Sequence, residues 1–139
     1  MITSIEVVDL QYKFVSQSEI KSLITGDVHK WQRPDNSDKE DIVIGSIAVS
    51  SGSVQPATIN INIHVPAIKV KIGGKTQYQP DVKRMRELSK KLVEIFRGNK
   101  GVYLGDVCSC WISNQTDIKE PNIDQWYTNN RIEIRYHNT

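Results

Sequence analysis

Residues 58–65 read Thr-Ile-Asn-Ile-Asn-Ile-His-Val, a strict alternation of polar and aliphatic side chains. Because successive side chains of a β-strand point to opposite faces, Ile59, Ile61 and Ile63 would share one face and the polar side chains the other. A strand with one polar face is typical of an antiparallel or mixed sheet, since parallel strands are usually covered on both sides. The segment therefore predicts a strand of such a sheet, with Pro66 limiting hydrogen bonding just past it.

Two segments of different composition follow this strand. Residues 69–79 are basic, polar and rich in glycine, which indicates an extended arm or a long hairpin, mobile in the free chain. Pro80 and Asp81 then begin a helix, since proline suits the first turn and an acid suits the positive end of the helix dipole. Apolar residues recur every three or four positions and Gly98 suits the position after the end, so we predict a long helix over 81–97.

The N-terminal region predicts a strand and then a short helix. The strand is indicated by alternation at Val8, Leu10, Tyr12 and Phe14. Ser16 and Glu19 have the S-x-x-E spacing of a capping box, which predicts a helix of about two turns over 17–26. Residues 31–40 are rich in Pro, Asn, Ser and Asp and are predicted to form a loop.

Further strands are predicted at 41–49, 107–112 and 131–136. The polar segment 113–130 lies between the last two, and we expect a short turn of helix at 123–127, since so long a structureless segment is unusual in a domain. The order β, α, β, β, α, β, β predicts the fold class α+β. We expect one domain over 1–139, a mainly antiparallel or mixed sheet packed with two helices.

Composition restricts the classes of function. The chain has 139 residues and a formal net charge of +2, from 18 Lys and Arg against 16 Asp and Glu, which argues against a polybasic arm or an acidic tail. It has no apolar run long enough for a membrane span, and Glu6 and Asp9 interrupt its first apolar stretch, so neither a membrane segment nor a signal peptide is expected. Two cysteines cannot build a disulfide framework, so a reducing cytosolic compartment is the default expectation.

No motif in the sequence indicates catalysis, and we expect no catalytic residue, no cofactor and no metal. Cys108 and Cys110 would lie on one face of a strand, but a zinc site needs three or four ligands, so we interpret them as core packing. The three histidines lack ligand spacing, although His64 lies on a polar strand face where a general base could sit.

Two other motifs are assigned no function. The acidic cluster Asp38, Glu40 and Asp41 could bind a cation, but in so polar a loop we expect it to be solvated. The run 73–76, Gly-Gly-Lys-Thr, has the end of a phosphate loop. That motif needs a glycine at position 69, which is Lys69, and a helix beginning at the Lys-Thr pair.

The pair Trp126-Tyr127 stands out in the polar segment 113–130. Large aromatic residues in a polar connection either anchor an interface or pack on their own core, and both interpretations stay open. Together with the arm, this segment gives the candidate protein interface: Lys69, Lys71, Lys75, Gln77, Tyr78, Trp126, Tyr127, Asn129 and Asn130.

Four separated segments resemble small phage and prophage tail proteins, especially those of Bacteroidetes-type genomes. The segments are Thr25 to Ile44, which contains Trp-Gln-Arg-Pro-Asp-Asn-Ser; Ile59 to Pro66; Gln79-Pro80-Asp81 with its helix; and Trp126 to Ile134, which contains Tyr-Thr-Asn-Asn-Arg. The similarity touches residues 20–136 in order.

The resemblance implies a tail-terminator, tail-completion or head–tail connector (neck) protein, a structural virion assembly protein with an α+β fold and no enzymatic activity. Such proteins commonly close into rings, often hexamers, through heterologous contacts whose rotation permits closure. The implied partners are copies of itself, with a monomer before assembly, and tail tube or head–tail connector proteins, without membrane or nucleic acid. The implied location is the bacterial cytoplasm during assembly and then the virion tail.

Two alternative functions stay open. A nucleic-acid-binding module would use the basic face of helix 81–97, formed by Lys83, Arg84, Arg86, Lys90 and Lys91. A small hydrolase or toxin would centre on His64, with a carboxylate of perturbed pKa in the same cleft.

Overall fold

A six-stranded mixed sheet forms the centre of the protein, which a computed structural model describes over residues 1–138. The eight strands within this range are β1 (Val28–Lys30), β2 (Asp41–Val49), β3 (Val54–Pro66), β4 (Ile68–Ile72), β5 (Lys75–Gln79), β6 (Val102–Leu104), β7 (Cys108–Lys119) and β8 (Gln125–His137). The sheet order is β1-β2-β3-β8-β7-β6, in which only β1 and β2 are parallel. β4 and β5 form a separate hairpin. The predicted fold class, α+β with a mixed and mainly antiparallel sheet, is confirmed.

Three α-helices within residues 1–138 pack together on the sheet, one more than the sequence predicted. They are α1 (Ser4–Ser16), α2 (Ile20–Leu23) and α3 (Val82–Ile95), followed by a short 3₁₀ helix at Gly98–Lys100. α1 packs on β1 and β2, α3 packs on β3 and β8, and α2 connects the two helices. The long helix predicted over 81–97 is confirmed, with Asp81 as the N-cap that accepts from the backbone N–H of Arg84. No helix of residues 1–138 is long and apolar enough to cross a membrane.

The N-terminal strand prediction is wrong, because residues 4–16 form α1. A capping box of Thr3 and Glu6 begins this helix: the Thr3 hydroxyl accepts from the Glu6 N–H, and the Glu6 carboxylate accepts from the Thr3 N–H. The buried residues, Val7, Val8, Gln11 and Val15, follow a helical spacing. This stripe decides the packing, whereas the alternation from Val8 to Phe14 does not.

The helix predicted over 17–26 is shorter, since α2 is a single turn. The expected capping box does not form, because Ser16 is the last residue of α1 and its hydroxyl donates to the carbonyl of Lys13. Glu19 precedes α2 without a side-chain cap.

The alternating segment 58–65 lies within β3, near the centre of the sheet, as an antiparallel partner of both β2 and β8. Ile59, Ile61 and Ile63 face the helices and are almost fully buried. At roughly 25 cal/mol per Å² of apolar surface, each contributes about 2–3 kcal/mol of hydrophobic stabilisation. The predicted division of this strand into an apolar and a polar face is confirmed for Thr58, Asn60 and Asn62, which lie on the opposite face.

The polar segment 113–130 is not a loop with a helical turn. β7 continues to Lys119 and β8 begins at Gln125, so most of the segment forms a long antiparallel hairpin, from Asn114 opposite Arg131 to Lys119 opposite Trp126. The helical turn predicted at 123–127 is therefore wrong. The physical reason is that each polar strand gains a complete ladder of backbone hydrogen bonds from its partner, which a local pattern does not reveal.

Candidate functional site

The predicted arm is a two-stranded hairpin that stands apart from the main sheet. β4 and β5 pair in antiparallel register along their full length. Gly73 and Gly74 form the turn, and both have positive φ, as the tight turns of hairpins require. No other helix or strand of residues 1–138 makes a substantial contact with this hairpin.

On one face of the hairpin, β4 presents an accessible aliphatic row beside the polar side chains of Lys75, Gln77 and Gln79 on β5. Ile68, Val70 and Ile72 alternate along β4 and share this face; Ile68 is 42% and Ile72 is 50% exposed. On the other face, Nζ of Lys69 lies 5.5 Å from the ring centroid of Tyr78, a cation–π contact. The remaining arm residues of the candidate interface, Lys71, Lys75 and Gln77, are exposed.

β7 has a long open edge. β8 pairs along one side of this strand, while β6 covers only Cys108–Cys110 on the other side. Among residues 1–138, no strand lies on the outer side of residues 113–119. An open edge presents backbone N–H and C=O groups with which a strand of another chain can pair.

A groove separates the open edge of β7 from α3. Its larger part has a volume of about 360 Å³, and a second part of about 260 Å³ adjoins it at Gln115. Both walls combine apolar and polar side chains: the α3 wall contains Val82, Met85 and Arg86, and the strand wall contains Gln115, Asp117 and Trp126. Val82 is 53% exposed although it begins α3. We call this feature the α3–β7 groove.

Hydrogen bonds hold the sheet side of the α3–β7 groove. Thr128 Oγ1 donates to Asp117 Oδ1 at 2.7 Å, and Gln115 Nε2 donates to Asn130 Oδ1 at 2.7 Å. Asn130 is 0% exposed and also donates to the carbonyl of Ile61. Its position on β8 points the side chain towards the helices, and its role in an interface stays a prediction.

The aromatic pair is divided between the two faces of the sheet. Trp126 is half-buried beside the α3–β7 groove and packs against the core. Tyr127 stacks on His64 on the opposite face, with ring centroids 5.0 Å apart. Asn129 shares that face and donates to Asn62 at 2.7 Å. Both aromatic rings thus pack on their own chain, and their role in an interface stays a prediction.

His64 is enclosed, at 7% exposure, and not free on an open sheet face. Its Nδ1 lies 3.0 Å from Oε1 of Glu120, yet it has no aligned hydrogen bond within residues 1–138. Burial lowers the pKa of His64 to about 4, and the charge of Arg33 adds to this effect. Burial also raises the pKa of Glu120. Both groups are therefore shifted towards their neutral forms.

The acidic cluster is solvated only at Asp38, so the expectation for Asp41 and Glu40 is wrong. Asp41 accepts from Arg33 Nε at 3.0 Å and from Ser37 Oγ at 2.6 Å. Burial alone would raise the pKa of Asp41, but hydrogen bonds from Ser37 and from the backbone N–H of Asp27, together with the charge of Arg33, lower it. Arg33 also donates to Gln125 at 2.6 Å, so one guanidinium joins the 31–40 loop to β2 and β8.

Glu40 is paired with the helix that carries the predicted basic face. Arg84 Nε donates to Glu40 Oε2 at 2.6 Å and its Nη2 to Oε1 at 2.9 Å, in a bidentate pair. Lys91 Nζ lies 3.0 Å from carboxylate oxygens of both Glu19 and Glu94. Two of the five basic residues are therefore engaged in ion pairs, and Lys83, Arg86 and Lys90 are exposed.

Cys108 and Cys110 are free and buried on the helix-facing side of β7. A hydrogen bond with Cys110, together with burial, raises the pKa of the Cys108 thiol. Gln11 reaches the same region, and its carboxamide has no regular hydrogen bond within residues 1–138. In this range, no group of three or more His, Cys, Asp or Glu residues is arranged to hold a metal ion.

The sequence pattern did not predict the open edge or the α3–β7 groove, because no strand was predicted over 113–119. A signal was available in Glu120-Pro121-Asn122, a turn-forming run between two segments of similar length. If this run is interpreted as a hairpin turn, it predicts a strand before it, the end of β7, and a strand after it, the start of β8.

No family model matches the chain, and no curated protein matches it in sequence.

Proposed function

We propose that the protein is a structural component of phage or prophage tail assembly, a tail-terminator, tail-completion or neck protein that acts by ring-forming contacts between its own copies and performs no catalysis. The observation that carries this proposal is the β4–β5 arm, whose accessible aliphatic row on β4 makes no substantial contact with another helix or strand of residues 1–138. The family resemblance of the sequence supplies the phage context.

The energetics of the arm support a role in assembly. A two-stranded hairpin is only marginally stable in water unless its apolar face packs on something. Complete burial of an aliphatic side chain contributes roughly 1.5–3 kcal/mol. Ile68 and Ile72 are about half exposed in the single chain, so their burial against a partner would stabilise the arm and the assembly together.

The two alternatives have weaker support. On α3, Arg84 and Lys91 already form ion pairs with acidic residues, so they are less available to bind nucleic-acid phosphates. A hydrolase centred on His64 would need an accessible imidazole, whereas the nearby surface cavity of about 200 Å³ is lined by Glu120, Arg33 and loop residues rather than by His64.

Deletion of residues 71–77 tests the proposal. We expect the full chain to show a concentration-dependent mass of several subunits in light scattering and the deletion variant to stay a monomer. The deletion removes the turn and most of the hairpin, with which no other helix or strand of residues 1–138 makes a substantial contact, so the circular dichroism spectrum should change little and the unfolding midpoint should be retained. An identical mass for both proteins at about 1 mM would contradict the proposal.

A matched control tests whether the loss of two positive charges alone affects assembly. The double variant Lys13→Gln and Lys100→Gln removes the same number of exposed charges away from the arm and should assemble like the full chain.

Two further measurements test the phage context and the nucleic-acid alternative. Genes for capsid, portal, sheath or tube proteins should flank this one, and DNA binding at low salt would favour the alternative.

A further inference from the structure

We propose that the β4–β5 arm of one copy docks in the α3–β7 groove of a second copy, where its strand β4 adds to the open edge of β7. This inference rests on the proposed self-assembly and names the surface that receives the arm. The sheet would then continue from one subunit into the next, in the order β3-β8-β7 followed by β4 and β5 of the neighbouring copy.

No strand of residues 1–138 pairs with the outer edge of β7 over residues 113–119. Residues 113–119 pair with β8 on one side only, and they are mostly exposed. At about 3.4 Å per residue, this edge is roughly 24 Å long, whereas the five residues of β4 need roughly 17 Å. The outer edge of β4 is also unpaired within residues 1–138, since β5 occupies only its inner edge. Each strand therefore supplies the hydrogen-bonding groups that the other lacks.

The side chains of β4 suit the apolar part of the groove. A strand in this position presents alternate side chains to α3 and to the opposite face of the sheet. Ile68, Val70 and Ile72 would face α3, where Val82 and Met85 lie beside Trp126. Burial of Val82 against them would explain why a valine at the start of α3 is left 53% exposed in the single chain.

The charges of the two segments are complementary. Residues 67–80 contain Lys69, Lys71 and Lys75 and no acidic residue, whereas residues 115–125 contain Asp117, Glu120 and Asp124 against one lysine. Opposite charge on the two segments favours contact between different copies, and like charge disfavours contact between two arms. Because the contact joins two different surface patches, it can repeat from one copy to the next as a heterologous contact, which is the type that closes rings.

Cross-linking between two variants that each gain one exposed cysteine tests the docking site. Lys71→Cys and Thr116→Cys both replace exposed residues, and a size tag on one variant distinguishes mixed dimers from the rest. We expect a short bis-maleimide to give a mixed dimer of Lys71→Cys with Thr116→Cys. The matched control is Lys71→Cys with Lys30→Cys, because Lys30 lies on β1 at the other edge of the sheet. Cys108 and Cys110 are each 1% exposed, so the wild-type chain should not react.

Amide hydrogen exchange gives a second measurement on the unmodified chain. Strand addition should slow exchange at alternate residues of 113–119 by at least tenfold as the protein concentration rises into the assembling range, and should leave β1 unchanged. Absence of both the cross-link and the protection at about 1 mM overturns the docking site, as does an equal yield with Lys30→Cys. If deletion of 71–77 abolishes assembly in the same preparation, self-assembly through the arm stands and only its receiving surface is wrong.

Discussion

At the scale of single residues, two buried arginine–carboxylate contacts define how the loops attach to the core. Arg33 binds Asp41, and Arg84 binds Glu40, although the latter residues are 44 positions apart. A buried ion pair costs desolvation energy, so each contact is stable only because its geometry satisfies several hydrogen bonds at once. The sequence shows these four residues as charges in a loop and on a helix face, and no local pattern links them.

His64 should make the folded state sensitive to mild acid. Its pKa is lowered to about 4 by burial, whereas the unfolded chain has a value near 6.5. The unfolded state therefore binds the proton first, and stability is complete above pH 6.5 and falls towards pH 4, by up to about 3 kcal/mol. Glu120 acts in the opposite direction, because its raised pKa favours the folded state as pH falls. Asp41 has a lowered pKa, so it stabilises the folded state at any pH above the ordinary pKa of an aspartate. This stabilisation is lost only as the pH falls below that value.

Urea unfolding at pH 7.5, 5.5 and 4.5 measures this effect. The variant His64→Gln keeps a polar side chain that does not titrate, so its stability should fall less over the same range than that of the wild type. His137→Gln is the control, since His137 is exposed at the end of β8. Parallel pH profiles for His64→Gln and the wild type would show that His64 does not contribute.

At the scale of helices and strands, a sequence pattern succeeded wherever one element alone decided the outcome. The alternation of 58–65 gave β3 and its buried face, and the Pro80-Asp81 start gave α3. The same alternation failed from Val8 to Phe14, because the capping box at Thr3 and a helical stripe of buried residues favour α1. β7 and β8 were only partly predicted, because polar strands depend on their partner's backbone and not on a pattern of their own.

Close contact between two elements gives a prediction at Gly26. A Cβ at this position would overlap Oδ1 of Asp41 and lie 2.5 Å from the carbonyl oxygen of Glu40. Gly26→Ala should therefore push the segment before β1 away from β2 and lower the free energy of unfolding by about 2 kcal/mol. Gly45→Ala, within β2, is the matched control, because its nearest neighbour would be an atom of Trp31 at 3.8 Å. Equal stability of the two variants in urea would contradict this account.

At the scale of the whole molecule, the elements that could mediate assembly lie at one end of the sheet. β3 ends opposite the start of β8, at Pro66 and Gln125, and the arm leaves the sheet there. The open part of β7 approaches the same end, where Lys119 pairs with Trp126. At the opposite end of the sheet, the segment after β8 is bound to the start of β3, since the Asn138 side chain donates to the carbonyl of Gly52 and to the side chain of Gln55. A contact between copies would therefore join the arm end of one subunit to the arm end of the next.

The ionic-strength dependence of assembly should reveal the contribution of charge to this contact. If the lysines of the arm meet the acidic segment 115–125 of another copy, association should weaken as salt shortens the Debye length from about 10 Å at 0.1 M towards 3 Å at 1 M. The variant Lys71→Gln with Lys75→Gln should raise the dissociation constant roughly fivefold at low salt, as expected for two partly exposed ion pairs. It should also flatten the salt dependence, because fewer charges remain to be screened.

Sedimentation velocity over a concentration series measures both quantities in one experiment. Lys13→Gln with Lys100→Gln changes the net charge equally but lies outside the arm, so its dissociation constant and salt dependence should match those of the wild type. Association that strengthens with salt in the wild type, and does not respond to the arm lysines, would mean that burial of Ile68, Val70 and Ile72 alone holds the copies together. Charge would then have no part in selecting the acidic segment as the receiving surface, and the apolar residues of the α3–β7 groove would be the remaining basis for specificity.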